Sequence, residues 1–247
     1  MIVIKSKQDL ERMRVSNGIA ARVRDEVASR VSPGVTTSEL GDYADELIRK
    51  AGGKSAFLGY KGFPGQICVS VNDVVVHGIP GNRRIEIGDI VSLDVGVLID
   101  GFFGDTAKTV MVGVTDPSLI KLVRTTERAL EVGLAEARVG RRLSDVSHAI
   151  QRVAEGAGFT IVRDFVGHGI GRDLHEDPQI PNFGKPGRGP LLRDGMTLSI
   201  EPMVNMGCAD VQVQTDGWTV LTKDRRPSAH FEHTVAIRDG EVEILTK

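Results

Sequence analysis

Cysteines are few in this sequence of 247 residues, and neither sign of charge is in excess. The two cysteines, Cys68 and Cys208, lack the spacing of a metal motif, which argues against a disulfide scaffold and favours a reducing compartment. Lysine and arginine (31) nearly balance aspartate and glutamate (33), for a formal net charge of -2. The sequence therefore has no electrostatic signal for direct binding to nucleic acid or to an anionic membrane.

Long apolar runs are also missing. No run reaches the length of a membrane span, and the apolar start, residues 1–5, is too short for a signal peptide. Apolar residues make up 40% of the sequence and charged residues 26%, which is ordinary for a soluble globular protein. We therefore expect a cytoplasmic protein.

Four helices are predicted from capping signals and from apolar residues at helical spacing. Ser6 with Asp9 can form a capping box, residues 36–39 form another, and Asp116 before Pro117 is a strong helix start. The predicted helices span residues 6–31, 36–52, 116–137 and 143–158.

The segments that follow each helix pair are predicted to form strands and turns. Residues 54–66 are expected to be loop, residues 68–76 a strand broken at Asn72-Asp73, and residues 159–245 a series of short strands. Two helices followed by strands, twice over, indicate an α+β fold.

A weak internal match at a constant offset of 106 residues, residues 38–52 with 144–158, favours a duplication over coincidence. We expect one domain, residues 1–247, with halves at about 1–115 and 116–247 and a site between them.

Two aspartates lie in the central predicted hairpin. A turn signal at residues 100–101 (Asp-Gly) separates Asp94 in one strand from Asp105 in the next. A turn centred there places Asp94 opposite Ala107, and one centred a residue earlier places it opposite Asp105. Either register puts both carboxylates on one face, where they repel unless a cation lies between them or one is protonated. The alternative is a pair of solvated aspartates on an exposed face.

The second half supplies three more candidate ligands. His168 lies among glycines, on or beside a predicted strand, and imidazole is the commonest metal-binding side chain. Glu201 and Glu232 each lie in an apolar strand, where a buried, unpaired carboxylate costs several kcal/mol. Alone, each has an ordinary alternative, an exposed turn or an edge strand. Together, two Asp, one His and two Glu suit a pair of divalent first-row metals that generate a hydroxide nucleophile. The residues thus predict a dinuclear metallohydrolase.

Eight short motifs follow one another along the sequence: VHGIP at 76–80, LDVG at 93–96, GFFGDT at 101–106, GHGIG at 167–171, LHEDP at 174–178, IEPM at 200–203, QTDGWT at 214–219 and FEHT at 231–234. With these motifs, the sequence resembles the type I methionine aminopeptidases along essentially its whole length. The resemblance implies the pita-bread fold, with pseudo-twofold related halves around a curved antiparallel sheet.

The resemblance also implies roles for the candidate ligands. Asp94 would chelate one of two divalent metals (cobalt, iron, manganese or zinc), and Asp105 and Glu232 would bridge both. His168 and Glu201 would bind the other metal, and Glu201 would also carry the proton.

Further residues are implied to contact the substrate. His175 would stabilise the oxyanion, and His77 would position the scissile amide on its leaving-group side. Without the resemblance, a structural role would be preferred for both histidines, and core packing for the aromatic residues. The methionine pocket would be lined by Tyr60, Phe63, Cys68 and Trp218, with Phe57 and Leu174 nearby.

The predicted function is removal of the initiator methionine from nascent polypeptides when the second residue is small. The family is commonly monomeric, and a contact with the ribosome is consistent with this role, although no basic tail indicates one. One alternative is a proline-specific dipeptidase or aminopeptidase with the same ligands, and another is a metal-free binding module of the same fold.

Overall fold

Four helices form where the capping signals predict them in the computed structural model, which describes residues 1–247. At the first helix, the Ser6 hydroxyl accepts from the Asp9 N–H, and the Asp9 carboxylate accepts from the Ser6 N–H, both at 3.1 Å. The second and fourth helices end two residues earlier than predicted, before Gly52 and Gly158, whose φ angles are 80° and 90°. The helices are α1 (Lys7–Arg30), α2 (Thr37–Lys50), α3 (Pro117–Glu136) and α4 (Leu143–Gly156).

Fifteen short strands make up most of the remaining regular structure. They are β1 (Lys54–Ser55), β2 (Cys68–Val71), β3 (Val74–Val76), β4 (Ile90–Ile99), β5 (Phe102–Met111), β6 (Thr160–Ile161), β7 (Gly167–Gly169), β8 (Glu176–Ile180), β9 (Thr197–Ile200), β10 (Met203–Asn205), β11 (Val211–Val213), β12 (Val220–Thr222), β13 (Ser228–His230), β14 (Glu232–Arg238) and β15 (Glu241–Ile244). The break between β2 and β3 falls at Asn72, as predicted, with a φ of 55°.

The prediction that residues 54–66 are all loop is wrong at two places. β1 pairs with the end of β4, and Tyr60–Gly62 forms a short 3-10 helix. A two-residue edge strand contains too few residues to show the alternation by which longer strands are recognised.

Nine strands form one sheet, and six form two smaller sheets. The large sheet has the order β1-β4-β5-β14-β9-β7-β8, with β2 also paired to β4 and β15 also paired to β14. All of its strand pairs are antiparallel. The smaller sheets have the orders β13-β10-β6 and β11-β12-β3.

The β4–β5 hairpin adopts the register set by a turn at residues 100–101. Asp100 and Gly101 have φ angles of 50° and 76°, the positive pair that a two-residue hairpin turn favours. Asp94 therefore lies opposite Ala107, and Asp105, two residues before Ala107, points to the same face. The alternative register, with the two aspartates directly opposed, does not form.

The helices cover the other face of this hairpin. Leu93 and Val95, on either side of Asp94, are fully buried in a cluster with apolar residues of α1 and α2. On β5, a Cβ at Gly104 would lie 2.7 Å from the backbone of α1, so only glycine permits this approach. The sheet thus has an apolar helix-covered face, and the aspartates point away from it.

The starts of α2 and α4 repeat the same contact 106 residues apart. The Thr36 N–H donates to the Glu39 carboxylate at 2.7 Å, and the Arg142 N–H donates to the Asp145 carboxylate at 2.8 Å. The division into halves near residue 115 remains a prediction. None of the four helices combines the length and apolar character that a membrane span needs.

Candidate active site

Five neighbouring strands of the large sheet bring the five predicted ligands to one place. Asp94 is on β4, Asp105 on β5 and Glu232 at the start of β14. Glu201 lies just beyond β9, and His168 is the middle residue of β7, so each of the five is on or beside a strand, as predicted. These strands are consecutive in the sheet, which explains how residues far apart in sequence converge.

The ligand atoms are close enough to share a cation. Oxygen or nitrogen atoms of Asp105, His168 and Glu232 all lie within 4.8 Å of one another. The His168 Nε2 atom is 3.5 Å from Oε1 of Glu201 and 3.9 Å from Oδ2 of Asp105. Asp94 and Glu232 lie on the two strands that flank β5, and each is paired with Ala107 of β5. Asp94 therefore lies beside the other ligands.

Two buried oxygen atoms indicate what the cluster holds. Oδ1 of Asp94 and Oδ1 of Asp105 are buried without a hydrogen-bond partner. Buried carboxylate oxygens normally have a partner, and a cation coordinated by several carboxylates supplies one. The residues therefore fit a divalent metal.

Burial also shifts the acid–base properties of the cluster. It raises the pKa of Asp94 from 3.8 to about 7. The pKa values of Asp105, Glu201 and Glu232 are raised as well, first by burial and then by the neighbouring carboxylates. Burial lowers the pKa of His168 to about 3, so its imidazole is neutral. Without a cation these acids retain protons, and a bound metal would favour their charged forms.

Hydrogen bonds behind the cluster orient its members. The His168 Nδ1–H donates to the carbonyl of Gly169 at 2.9 Å, which leaves Nε2 as the free ligand atom. The Ser199 hydroxyl donates to the Glu232 carboxylate. The Asn182 amide donates to the carbonyl of Glu201 at 2.9 Å. These contacts resemble the supporting partners of metal ligands in proteins.

All thirteen residues that the sequence predicts as ligand, catalytic or pocket residues line one cavity of about 200 Å³. Besides the five ligands they are His77, His175, Tyr60, Phe63, Cys68, Trp218, Phe57 and Leu174. A larger groove of about 490 Å³ runs along α3, but its lining contains no acidic residue. The smaller cavity is therefore the candidate site, because four acidic side chains converge on it, although the groove along α3 has the larger volume.

The two histidines outside the ligand set are held by aromatic contacts. His175 stacks on Tyr60 with ring centroids 5.4 Å apart, and its Nδ1 atom is 2.8 Å from the Tyr60 hydroxyl oxygen. His77 packs edge-on against Phe165 and Trp218, at 5.4 and 6.1 Å. Burial lowers the pKa of both histidines, that of His77 to about 4. Both are therefore neutral at physiological pH.

The sequence did not identify Lys61 or His230 as part of the site. Lys61 completes the cavity lining, and its charge contributes to the lowered pKa of His175. No sequence signal distinguishes it from any other loop lysine. His230 is buried, with Nε2 3.9 Å from Glu201 Oε2. His230 is two residues before Glu232, and residues two apart in an extended chain point to the same side. This spacing could have indicated that His230 lies near the site.

A buried ion pair fixes the loop that carries His175. Lys5 Nζ lies 2.6 Å from Glu176 Oε2, and the two side chains are only 3% and 7% exposed. The Glu176 carboxylate also accepts from the Arg172 N–H at 2.9 Å. The pair therefore ties residues 172–176 to the segment that precedes α1.

We expect Lys5→Met to lower the free energy of unfolding by about 3 kcal/mol, because it leaves the Glu176 carboxylate buried without a positive partner. Urea titration measures this loss. Lys7→Met, which removes an exposed lysine without an ion pair, is the matched control and should be neutral. A loss below about 0.5 kcal/mol for Lys5→Met would show that the pair contributes little.

The fold and the acidic cluster define a metallopeptidase, and residues 11–239 match the sequence pattern of metallopeptidase family M24. A relative in Bacillus subtilis, methionine aminopeptidase 1, is 48% identical over 247 residues, which covers 100% of both chains. The crystal structure of methionine aminopeptidase from Thermotoga maritima superposes with a TM-score of 0.98 at 48% identity, again covering 100% of both. The chain belongs to family M24 and, within it, to the methionine aminopeptidases.

The prediction of a pita-bread α+β fold with a curved antiparallel sheet is thereby confirmed. A prolidase from Pyrococcus furiosus superposes with a TM-score of 0.81, but it is only 20% identical and the chain covers 65% of it. That similarity shows the shared fold alone, so the proline-specific alternative is not favoured.

Proposed function

We propose that this protein removes the N-terminal methionine from newly made proteins and peptides, with a preference for a small second residue. The observation that carries the proposal is the cavity, in which a cluster of four carboxylates and a histidine shares its walls with aromatic and apolar side chains. Such a cavity suits an apolar first side chain whose peptide bond lies near the acids. The Bacillus subtilis relative is a methionine aminopeptidase by name, which agrees with this activity.

We infer two divalent ions, which Asp94, Asp105, His168, Glu201 and Glu232 would hold. Charge supports this number, because four ionised carboxylates match two dications. Cobalt, iron, manganese and zinc all suit this donor set.

The metals would supply an acidified water as nucleophile and polarise the scissile carbonyl. Glu201 is the group we assign to proton transfer, because it borders the nucleophile's place and the leaving amine needs a proton. Burial alone would raise the pKa of its carboxyl, which suits a group that must take up and release a proton.

His175 is assigned to the scissile carbonyl. A neutral imidazole can donate from Nε2 only if Nδ1 carries no proton, and the Tyr60 hydroxyl, 2.8 Å away, can donate to Nδ1. The Nε2–H then stabilises the developing oxyanion. His77, neutral and buried beside Trp218, is assigned to the leaving-group side of the amide.

The methionine side chain is assigned to the apolar part of the cavity. Phe63 packs edge-on against Phe57 and Trp218, with centroids 6.5 and 5.1 Å apart, and Cys68 and Leu174 are buried beside them. A long thioether suits such an aromatic wall.

We infer that the protein acts in the cytoplasm as a monomer, on nascent chains as they leave the ribosome. Both cysteines are free thiols, which agrees with a reducing compartment.

The proposal is tested by a peptide panel with protein stripped by a chelator and reloaded separately with Co²⁺, Fe²⁺, Mn²⁺ and Zn²⁺. We expect hydrolysis of Met-Ala-Ser, about 10²-fold slower hydrolysis of Met-Lys-Ser because its second side chain is bulky, and two bound ions per chain in the active samples. Faster cleavage of Ala-Pro than of Met-Ala-Ser would instead support a proline-specific enzyme. Full activity without metal would contradict the metal assignment.

A further inference from the structure

His230 is a buried histidine directly behind Glu201. It is the last residue of β13, its residue exposure is 2%, and it does not line the cavity. Its Nε2 atom has no hydrogen-bond partner, and the nearest acid oxygen is Glu201 Oε2 at 3.9 Å. A buried polar nitrogen without a partner is rare and calls for an explanation.

The backbone of His230 is fixed at both of its polar groups. The His230 N–H donates to the Thr109 hydroxyl oxygen at 3.0 Å, and the same hydroxyl donates to the His230 carbonyl at 2.7 Å. β13 also pairs with β10, where His230 lies opposite Met203. The imidazole is therefore carried by a rigid strand rather than by a loop that could turn it elsewhere.

Glu201 thus lies between two histidines, one at each oxygen. His168 Nε2 is 3.5 Å from Oε1, and His230 Nε2 is 3.9 Å from Oε2. His168 donates through Nδ1 and offers a lone pair at Nε2, as a metal ligand must. A neutral imidazole carries one N–H and one lone pair, so only one of the two ring nitrogens of His230 can donate. A lone pair facing Oε2 would be repelled, so the proton belongs on Nε2.

We propose that His230 is a positioning residue for Glu201, and that its Nε2–H donates to Oε2 and leaves Oε1 directed at the metal centre beside His168. The gap of 3.9 Å exceeds a hydrogen bond by roughly 1 Å, which a small rotation of the Glu201 side chain can close. The proposal rests on the proposed function for the role of Glu201, and it adds a group outside the five-ligand set.

The test compares His230→Gln, whose amide can still donate, with His230→Leu, which fills the space without a donor. His148→Leu is the control for loss of a histidine, because His148 lies on α4, outside the cavity lining, with Nδ1 3.1 Å from the carbonyl of Gly184. The measurements are calorimetric binding of Co²⁺ alone to the stripped protein, the visible spectrum of the Co²⁺ form, and kcat and KM for Met-Ala-Ser.

We expect His230→Leu to weaken Co²⁺ binding by about 10- to 100-fold and to lower kcat by a similar factor while KM stays within about 3-fold. His230→Gln should restore both to within about 3-fold of wild type, and His148→Leu should change neither. The Co²⁺ spectrum should change in His230→Leu and return to the wild-type form in His230→Gln.

Wild-type Co²⁺ affinity in His230→Leu would overturn the proposal, as would a loss that His230→Gln fails to rescue. If His230→Leu does not fold, His230→Asn gives the same comparison, because its shorter amide cannot reach Oε2 and should also lose affinity. Co²⁺ binding decides the role of His230 even if the wild type fails to cleave methionyl peptides, which would refute the proposed function instead.

Discussion

Asp105→Asn is expected to abolish methionyl-peptide hydrolysis and to reduce the bound metal below two ions per chain. Asp105 shares the ligand cluster with His168 and Glu232, and its Oδ1 atom has no partner within the protein. Asparagine keeps the shape but removes the charge, so the cluster loses an anionic side chain rather than a packing contact. The loss of kcat should exceed the roughly 100-fold that removal of a supporting partner costs.

The same substitution should raise the stability of the metal-free protein. Four carboxylates crowd this site, and repulsion from Glu232, Asp94 and Glu201 adds to burial in raising the pKa of Asp105. Removing one of the four relieves that repulsion, so the midpoint of thermal unfolding should rise by several degrees in the presence of chelator. A gain in stability together with a loss of activity is typical of a residue retained for function.

Asp100→Asn is the matched control in the same hairpin. Asp100 is exposed at the turn with a φ of 50°, a conformation that asparagine also tolerates. Peptide kinetics and metal analysis of both variants should therefore separate loss of a ligand from loss of an aspartate. Full activity in Asp105→Asn, with two ions still bound, would refute the dinuclear assignment.

The placement of Asp94 and Asp105 shows what could be predicted from sequence. Strand alternation fixes the face of both carboxylates in either register. The register itself depends on which residues at the turn accept a positive φ, and the sequence left that choice open. Asp100 and Gly101 both do so, and this selects the arrangement in which Asp94 faces Ala107.

Other features of the site depend on pairings between distant segments. Nothing local to residues 167–169 predicts that the strand with His168 lies beside β9. His230 lies beside Glu201 because β13 pairs with β10 in one of the smaller sheets, and β10 begins two residues after Glu201. Capping boxes and alternation act within one segment and were predictable, whereas the order β4-β5-β14-β9-β7 that gathers the ligands is a property of the whole sheet.

The buried acids should make the metal-free protein less stable as the pH rises from about 4, where they ionise in the unfolded chain, through about 7, where folded Asp94 releases its proton. Acids whose pKa is raised by burial keep protons in the folded state that the unfolded chain has already released. For Asp94 the change is from 3.8 to about 7, and the direction is the same for Asp105, Glu201 and Glu232. Folding then binds protons, so its free energy becomes less favourable with rising pH, by up to about 1.4 kcal/mol per pH unit for each retained proton.

The histidines oppose this effect only at lower pH. Burial lowers the pKa values of His77, His168 and His230 from 6.5 to between about 3 and 4, so the unfolded chain binds more protons there than the folded protein does. Below pH 6.5 the two contributions partly cancel, because acids and histidines shift in opposite directions. Well above it the histidines are neutral in both states, and only acids that still hold protons contribute to the slope.

Thermal unfolding in chelator of the wild type and of Asp105→Asn at several pH values between about 4 and 8 measures this effect, since the histidines contribute equally to both. Each acid lowers the midpoint by up to about 3–5 °C per pH unit until it releases its proton. Saturating Mn²⁺ should reverse it, because the metal takes the place of the protons and its apparent affinity rises with pH. Asp105→Asn should show a shallower fall, since it removes one of the titrating acids. An identical pH dependence of the midpoint in the chelated wild type and in Asp105→Asn would mean that Asp105 is already ionised in the folded protein, so that no cation is needed to make the clustering of its carboxylate tolerable.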